Sequence, residues 1–268
     1  MSEIKFKSIN KLQGSRVVLF GGTLGIGLAV AAAALEHGAS VFVTSSKQAH
    51  VDSAISDLKQ SYPTEEFYRR IDGAVCDLGS VETLEQNLVQ LFERATNGST
   101  DGMERLVDHV VFTAGDLLQV VPLQDSTAES IVKSGTVRFL APLIIGKLAP
   151  RYLRISNRSS ITITAGSMAR RPDKGWSVLA AFASGQEGMR LGMGKDLAPI
   201  RVNVVSPGVV QTPLLSRLSE EDKRRWQDVL LTGELGWPED VAEAYIYSMK
   251  DRSATGALID SSDGRIFN

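Results

Sequence analysis

The chain has 268 residues, 43% of them hydrophobic, and a formal net charge of −2. That is enough apolar material for a large core, and a nearly balanced charge gives no basic field for a nucleic acid. The longest aliphatic run, residues 28–35, is far short of the roughly 20 residues that cross a bilayer, so neither nucleic acid nor membrane is an expected partner.

Residues 1–10 mix Lys and Glu with apolar residues and lack the continuous apolar stretch of a secretion signal. Cys76 stands alone, which rules out an internal disulfide and fits a reducing, cytoplasmic setting. His37, His50 and His109 are scattered, so no metal-ligand cluster is expected.

Residues 16–20 (RVVLF) form a short apolar, β-branched run of the kind buried on both faces of a sheet. An alanine-rich helix over 24–37 stops at Gly38 and hands over to a strand at 40–44. The alternation continues with a helix near 51–60, a strand near 73–76, a helix near 81–96 and a strand at 109–113. Then follow a helix near 128–152, a strand at 160–164, a helix near 176–197, a strand at 201–205, a helix near 238–249 and a strand near 257–259. No Pro/Gly/Ser linker divides the series. It predicts one α/β domain over 1–268, a doubly wound parallel sheet of the Rossmann type. Residues 214–237 break the rhythm with a charged helical insertion after the sixth strand, where open sheets place ligands, and are expected to act as a substrate lid.

Gly21-Gly22-Thr23-Leu24-Gly25-Ile26-Gly27 joins the first strand to the first helix. A pyrophosphate can lie there against unpaired N–H groups and the positive end of the helix dipole. Gly21 can supply the tight turn, Gly25 the close approach of backbone to phosphate, and Gly27 the close packing of helix on strand. Thr23, Leu24 and Ile26 complete this expected cofactor contact. After the second strand, an NAD site usually carries an acid for the ribose hydroxyls, whereas this chain has Ser45-Ser46-Lys47. Two hydroxyls and a cation suit a 2′-phosphate, so NADP(H) is the expected cofactor.

The spacing G-x-x-x-G-x-G resembles the short-chain dehydrogenase/reductase superfamily. Three further segments agree with it. Cys76-Asp77-Leu78 resembles the adenine-binding Asp segment, Thr113-Ala114-Gly115 the Asn-Asn-Ala-Gly segment, and Pro207-Gly208-Val209-Val210-Gln211-Thr212-Pro213 the nicotinamide-side P-G-x-x-x-T-P loop. The resemblance implies cofactor contacts at Asp77, Leu78, Ala114, Gly115, Pro207, Gly208, Val210 and Thr212. It also implies a homodimer or homotetramer built on the helices near 128–152 and 176–197.

The family's usual chemistry is missing. Leu179 and Ala183 stand where a Tyr proton donor and its Lys partner belong, Ala165 or Gly166 falls on the Ser position with Ser167 just beyond, and Arg138 takes the Asn position. Hydride delivery to a ketone develops an alkoxide, and a placed acid that protonates it is worth roughly 10²- to 10⁴-fold in rate. A cationic C=N⁺ ring needs no such acid, because hydride neutralises it and a fixed carboxylate can stabilise the cation.

Asp173, in Arg170-Arg171-Pro172-Asp173-Lys174-Gly175-Trp176, is the candidate carboxylate, and Trp176 a candidate aromatic wall. Read alone, Asp173 also suits a helix cap and Trp176 a packing role. Arg138, Asp173 and Trp176 together with Leu179 and Ala183 resemble a fungal subgroup, the NADPH-dependent bifunctional reductase/Diels-Alder enzymes of malbrancheamide and paraherquamide biosynthesis. That resemblance implies reduction of a zwitterionic, prenylated dipeptide-derived ring and an intramolecular [4+2] cycloaddition in the same pocket, with Asp173 stabilising the cation, Arg138 orienting Asp173 or the cofactor, and Trp176 packing the indole or prenyl group. Two rival readings stay open: reduction of another imine or activated alkene, and a catalytically silent NADP(H) sensor.

Overall fold

Alternate residues of the first strand, β1 (Arg16–Phe20), point to opposite faces of the sheet and build two separate cores. Val18 and Phe20 join one, and Val17 and Leu19 the other. The chain is described by a computed structural model that covers residues 7–97, 106–115, 120–213, 215 and 219–268.

The elements follow as α1 (Gly25–Glu36), β2 (Ser40–Ser45), α2 (Gln48–Ser61), the single turn α3 (Glu65–Tyr68), β3 (Ile71–Val75), α4 (Leu84–Asn97) and β4 (His109–Phe112). The second half contains α5 (Ala128–Gly135), α6 (Ala141–Tyr152), β5 (Ser160–Thr164), α7 (Ser177–Asp196), β6 (Arg201–Pro207), α8 (Glu220–Gln227), α9 (Pro238–Lys250) and β7 (Leu258–Ser261). All seven strands are parallel, in the order β3-β2-β1-β4-β5-β6-β7. Strand order reverses between β1 and β4, and doubly wound sheets bind ligands beyond the carboxyl ends of the strands at that point.

One core lies under α4 and α6, where Phe20 meets Phe92 edge-on at 5.8 Å and Phe92 stacks on Tyr152 at 5.2 Å. The other lies under α1 and α9 and is filled by Leu35, Val111, Ile246 and the fully buried Tyr245. The Arg201-Val202-Asn203 run locks β6 to α9. Buried Arg201 donates to the carbonyls of Ser248 and Met249 in the last turn of α9, where a cation is favoured, and Asn203 accepts from Ala257 N and donates to Ala254 O.

The expected continuous helix near 128–152 is broken. Thr136–Leu140 forms a π turn between α5 and α6, with Ala141 N–H donating five residues back to Thr136 O. Pro142 accounts for the break, because it has no N–H to give the carbonyl of Arg138 four residues earlier. Gln186 of α7 fills that vacancy, its Nε2 donating to Arg138 O at 2.7 Å and to Thr164 O at 2.9 Å.

The insertion at 214–237 is less helical than expected. Its α8 is eight residues long, and Leu214 and residues 216–218 lie outside the described residues. The rest is held by a small apolar cluster of Val209, Leu215, Leu230 and Leu235 with Trp226 packed against it.

Candidate cofactor and reaction site

The β1–α1 turn is shaped by what its glycines must avoid. Gly21 has φ +80°, and a Cβ there would come within 2.6 Å of Ala114 N. A Cβ on Gly27 would collide with Gly21 O and lie 2.5 Å from Thr113 Oγ1, the hydroxyl that donates to Phe20 O and Gly21 O. Gly25 has φ +51°, and its Cβ would meet Thr212 Cγ2 at 2.8 Å, so the loop after β6 closes directly over the start of α1. The N-cap residue of α1 is Leu24, which has no side-chain acceptor, and Thr23 beside it is buried. The first N–H groups of α1 thus lack a side-chain cap, at a turn where a Cβ on Gly21, Gly25 or Gly27 would collide with its surroundings, and this fits a pyrophosphate.

The other expected cofactor contacts fall along the same edge. Ser45 ends β2 with its hydroxyl 3.4 Å from His50 Nδ1, while Ser46 and Lys47 are exposed and Lys47 is the N-cap residue of α2. Asp77, after β3, is exposed and accepts from Gly79 N at 2.9 Å, and its carbonyl accepts from Asn87 Nδ2 at 2.8 Å. Leu78 sends its side chain into the core. Ala114 and Gly115 leave β4, Pro207 ends β6, and Gly208 lies so close to Ser262 that a Cβ would approach its backbone to 2.9 Å. Val210 and Gly236 form a parallel bridge that ties this loop to the insertion.

On the reaction side, Leu179 and Ala183 are both buried on α7, so no proton donor stands at either position. Asp173 and Trp176 precede α7, and Trp176 N–H donates to Asp173 O. The Asp173 carboxylate is held by Arg265, whose Nη2 donates to Oδ2 at 2.7 Å and whose Nη1 reaches Ser167 Oγ at 3.2 Å. Asp173 remains 47% exposed and Arg265 only 7%. Arg138 was expected to orient Asp173 or the cofactor, and its guanidinium lies over Gly115, one of the expected cofactor contacts, so close that a Cβ there would collide with it. Trp176 meets Trp226 of α8 edge-on at 6.4 Å, which brings the insertion over the Asp173 loop.

Arg265, Gln186 and Trp226 were not anticipated from sequence. Gln186 had a signal in Pro142, which leaves one carbonyl in need of a donor. Trp226 is the lone aromatic in the charged run EEDKRRWQ, and such a residue on a surface helix marks a contact. Arg265 had none, since its partner is 92 residues away.

Other reactive side chains are structural. Burial and the neighbouring Asp77 push the Cys76 thiol up to about 12, which keeps it protonated. Burial also raises Tyr245, whose hydroxyl shares a 2.5 Å hydrogen bond with Thr164 Oγ1 beneath the sheet. Among the described residues no group of His, Cys, Asp or Glu is arranged to hold a metal, and no helix is long and apolar enough to cross a membrane.

A family model described as an SDR-like Rossmann domain matches residues 8–268. The chain is 40% identical over 264 residues to the short-chain dehydrogenase/reductase malC of Malbranchea aurantiaca, covering 97% of each chain. It is also 40% identical over 271 residues to the short-chain dehydrogenase/reductase fsr5 of Gibberella fujikuroi, covering 98% of each. The structure of the MalC reductase/Diels-Alderase from Malbranchea aurantiaca superposes with a TM-score of 0.89 at 39% identity, covering 97% of this chain and 98% of that one. The chain belongs to the short-chain dehydrogenase/reductase family, whose Rossmann fold binds a nicotinamide cofactor.

Proposed function

We propose that this chain is an NADPH-dependent reductase of a cationic, prenylated dipeptide-derived ring, and that its pocket then holds the product through an intramolecular [4+2] cycloaddition. One observation carries the reading: the positions of the family's proton donor are occupied by buried Leu179 and Ala183, while a carboxylate pinned by an arginine stands on the loop that opens the same helix. The similarity to the MalC reductase/Diels-Alderase supports it.

The bound cofactor supplies the hydride. Gly21, Thr23, Leu24, Gly25, Ile26 and Gly27 would seat its pyrophosphate, and Asp77, Leu78, Ala114 and Gly115 would flank the adenine and its ribose. Pro207, Gly208, Val210 and Thr212 would line the nicotinamide side. Ser45, Ser46 and Lys47, at the head of the 14-residue helix α2, would take the 2′-phosphate that distinguishes NADP(H), with the helix dipole adding to the lysine charge.

Asp173 stabilises the positive ring nitrogen while its charge is being removed, and no side chain has to deliver a proton to an oxygen. Arg138, whose carbonyl accepts from Gln186 and whose guanidinium lies over Gly115, orients Asp173 or the cofactor. Trp176 and Trp226 exclude water and pack the indole or prenyl group, with residues 214–237 as the lid. Holding diene and dienophile in one near-attack arrangement removes orientational entropy, which needs shape and no charged catalyst. The outward face of α7, where Leu191 is exposed and Gly188 and Gly192 border open space, supports self-association into a dimer or tetramer, and a single buried cysteine is consistent with the cytoplasm.

The test is anaerobic incubation of the purified chain with NADPH and the zwitterionic prenylated ring, following cofactor absorbance and product by mass spectrometry with chiral chromatography. Stoichiometric NADPH loss with one enantiomer of a bicyclic adduct is expected. Efficient turnover of plain ketones or aldehydes would overturn the reading. A reductase of a different imine or activated alkene is the second reading, because buried Leu179 and Ala183 remove the proton donor without dictating a cyclisation. It would consume NADPH without giving an adduct.

A further inference from the structure

The last turn of the chain reaches the reaction site. Arg265 opens the short 3₁₀ turn Arg265–Phe267, entered through Gly264 at φ +72°. Its guanidinium is almost wholly buried and spans two groups, Asp173 Oδ2 and the hydroxyl of Ser167, itself 2% exposed. The turn is anchored from both sides. Leu231 N donates to Asp263 O and Asn268 Nδ2 to Val229 O, Gly264 lies flush against the Leu231 side chain, and Ser262 packs on Gly208 of the loop after β6.

We infer that Arg265 is the positioning residue for Asp173. This rests on the reading above, in which Asp173 faces the cationic ring. A carboxylate on an exposed loop samples several rotamers, and a cation-stabilising group is useful only when it is fixed before the charge changes. Arg265 fixes one oxygen through a charge-assisted bond and leaves close to half of the Asp173 surface open. Its own position is set by Ser167 at the exit of β5 and by the lid residues Val229 and Leu231, so the lid and the carboxylate share one support. The planar guanidinium fits this two-partner site, whereas an ammonium cannot reach both partners with the same geometry.

The experiment compares R265Q, R265K and R265A with D173N and the double variant D173N/R265Q, using a cyclic iminium salt and NADPH. In R265Q, kcat is expected to fall about 10- to 100-fold with the dissociation constant for NADPH unchanged, because a misplaced group costs turnover before cofactor affinity. R265K should recover part of the rate, and ethylguanidinium in solution should raise the rate of R265A, which a merely structural loss would not allow. The double variant should be no slower than D173N, since the arginine acts through the carboxylate.

If R265Q turns over at the wild-type rate while D173N is slow, the positioning role is overturned and Asp173 keeps its role. If D173N itself is as fast as wild type, both fall. Multiplicative losses in the double variant, or absence of rescue in a folded R265A with normal NADPH affinity, would also overturn the inference. Should R265A and R265Q fail to fold, R265K decides: wild-type kcat in R265K overturns the inference, because an ammonium cannot hold Asp173 and Ser167 together.

Discussion

The two ends of the proposed binding site are built under different rules. At the β1–α1 turn, atoms have no freedom: a methyl group on Gly21, Gly25 or Gly27 would strike backbone or a neighbouring side chain, and each glycine answers to a steric demand that the fold itself imposes. At the start of α7, by contrast, the residues that carry the family's usual chemistry are replaced by packing residues, and a different charged pair, Asp173 and Arg265, stands on loops beside them. Backbone geometry limits change at the proposed cofactor end. Side-chain chemistry is free to change at the proposed reaction end, provided the scaffold around it stays filled.

Substitutions at the two ends should therefore separate cleanly. The largest effect is expected from Asp173→Asn, which keeps shape and removes charge: kcat should fall about 10²- to 10³-fold. NADPH affinity, read by fluorescence titration, should stay within about twofold. Equal losses in both would mean that the two ends are not independent.

Gly27→Ala should do the reverse. Its Cβ would press on Gly21 O and Thr113 Oγ1, and overpacking of about 1–3 kcal/mol should weaken NADPH binding about 10- to 100-fold. Thermal melting with and without cofactor would show the difference. Lys47→Glu should cost about 2 kcal/mol of NADPH affinity and leave NADH binding nearly unaltered, so the ratio of the two dissociation constants should move about 30-fold. An unchanged ratio would remove Lys47 from the 2′-phosphate site.

The smallest effect belongs to the opposite edge of the sheet. His109 is fully buried at the amino end of β4 with Nδ1 2.9 Å from Ser160 Oγ, and burial pushes its pKa down to about 4. The unfolded chain takes up this proton near pH 6.5, so stability is complete above that value and is lost as pH falls toward 4. Between pH 7 and pH 5.5 the loss should be about 1 kcal/mol in urea unfolding. It should vanish in His109→Gln, with turnover at pH 7 unaltered.

The strands were legible because each is a short apolar run bounded by turn residues, and Ser160–Thr164 falls where expected. The third strand was placed two residues late, because Ile71 and Asp72 follow two arginines and break the apolar pattern. The glycine turn could be read for the same steric reasons that fix it in space. What escaped depended on distance. Arg265 reaches a carboxylate 92 residues away, and no local pattern marks a buried arginine near the end of a chain. The break in the helix near 128–152 turns on Pro142, whose missing N–H frees the Arg138 carbonyl for Gln186, a residue of another helix. Asp173 was picked out for its charge, while its Arg265 partner lies too far along the chain to be paired with it from sequence.

The wide turn at Thr136–Leu140 also offsets the sequence pattern. A π turn holds one residue more than the α turn it replaces, and one residue is about 100° of rotation about a helix axis. A pattern read through 136–140 at the α-helical period is thrown out of phase by that amount, although in space the wide turn absorbs the extra residue. Deleting a single residue from 136–140 would turn it into an ordinary α turn and leave α5 and α6, Val132 and Lys133 included, in their present angular relation.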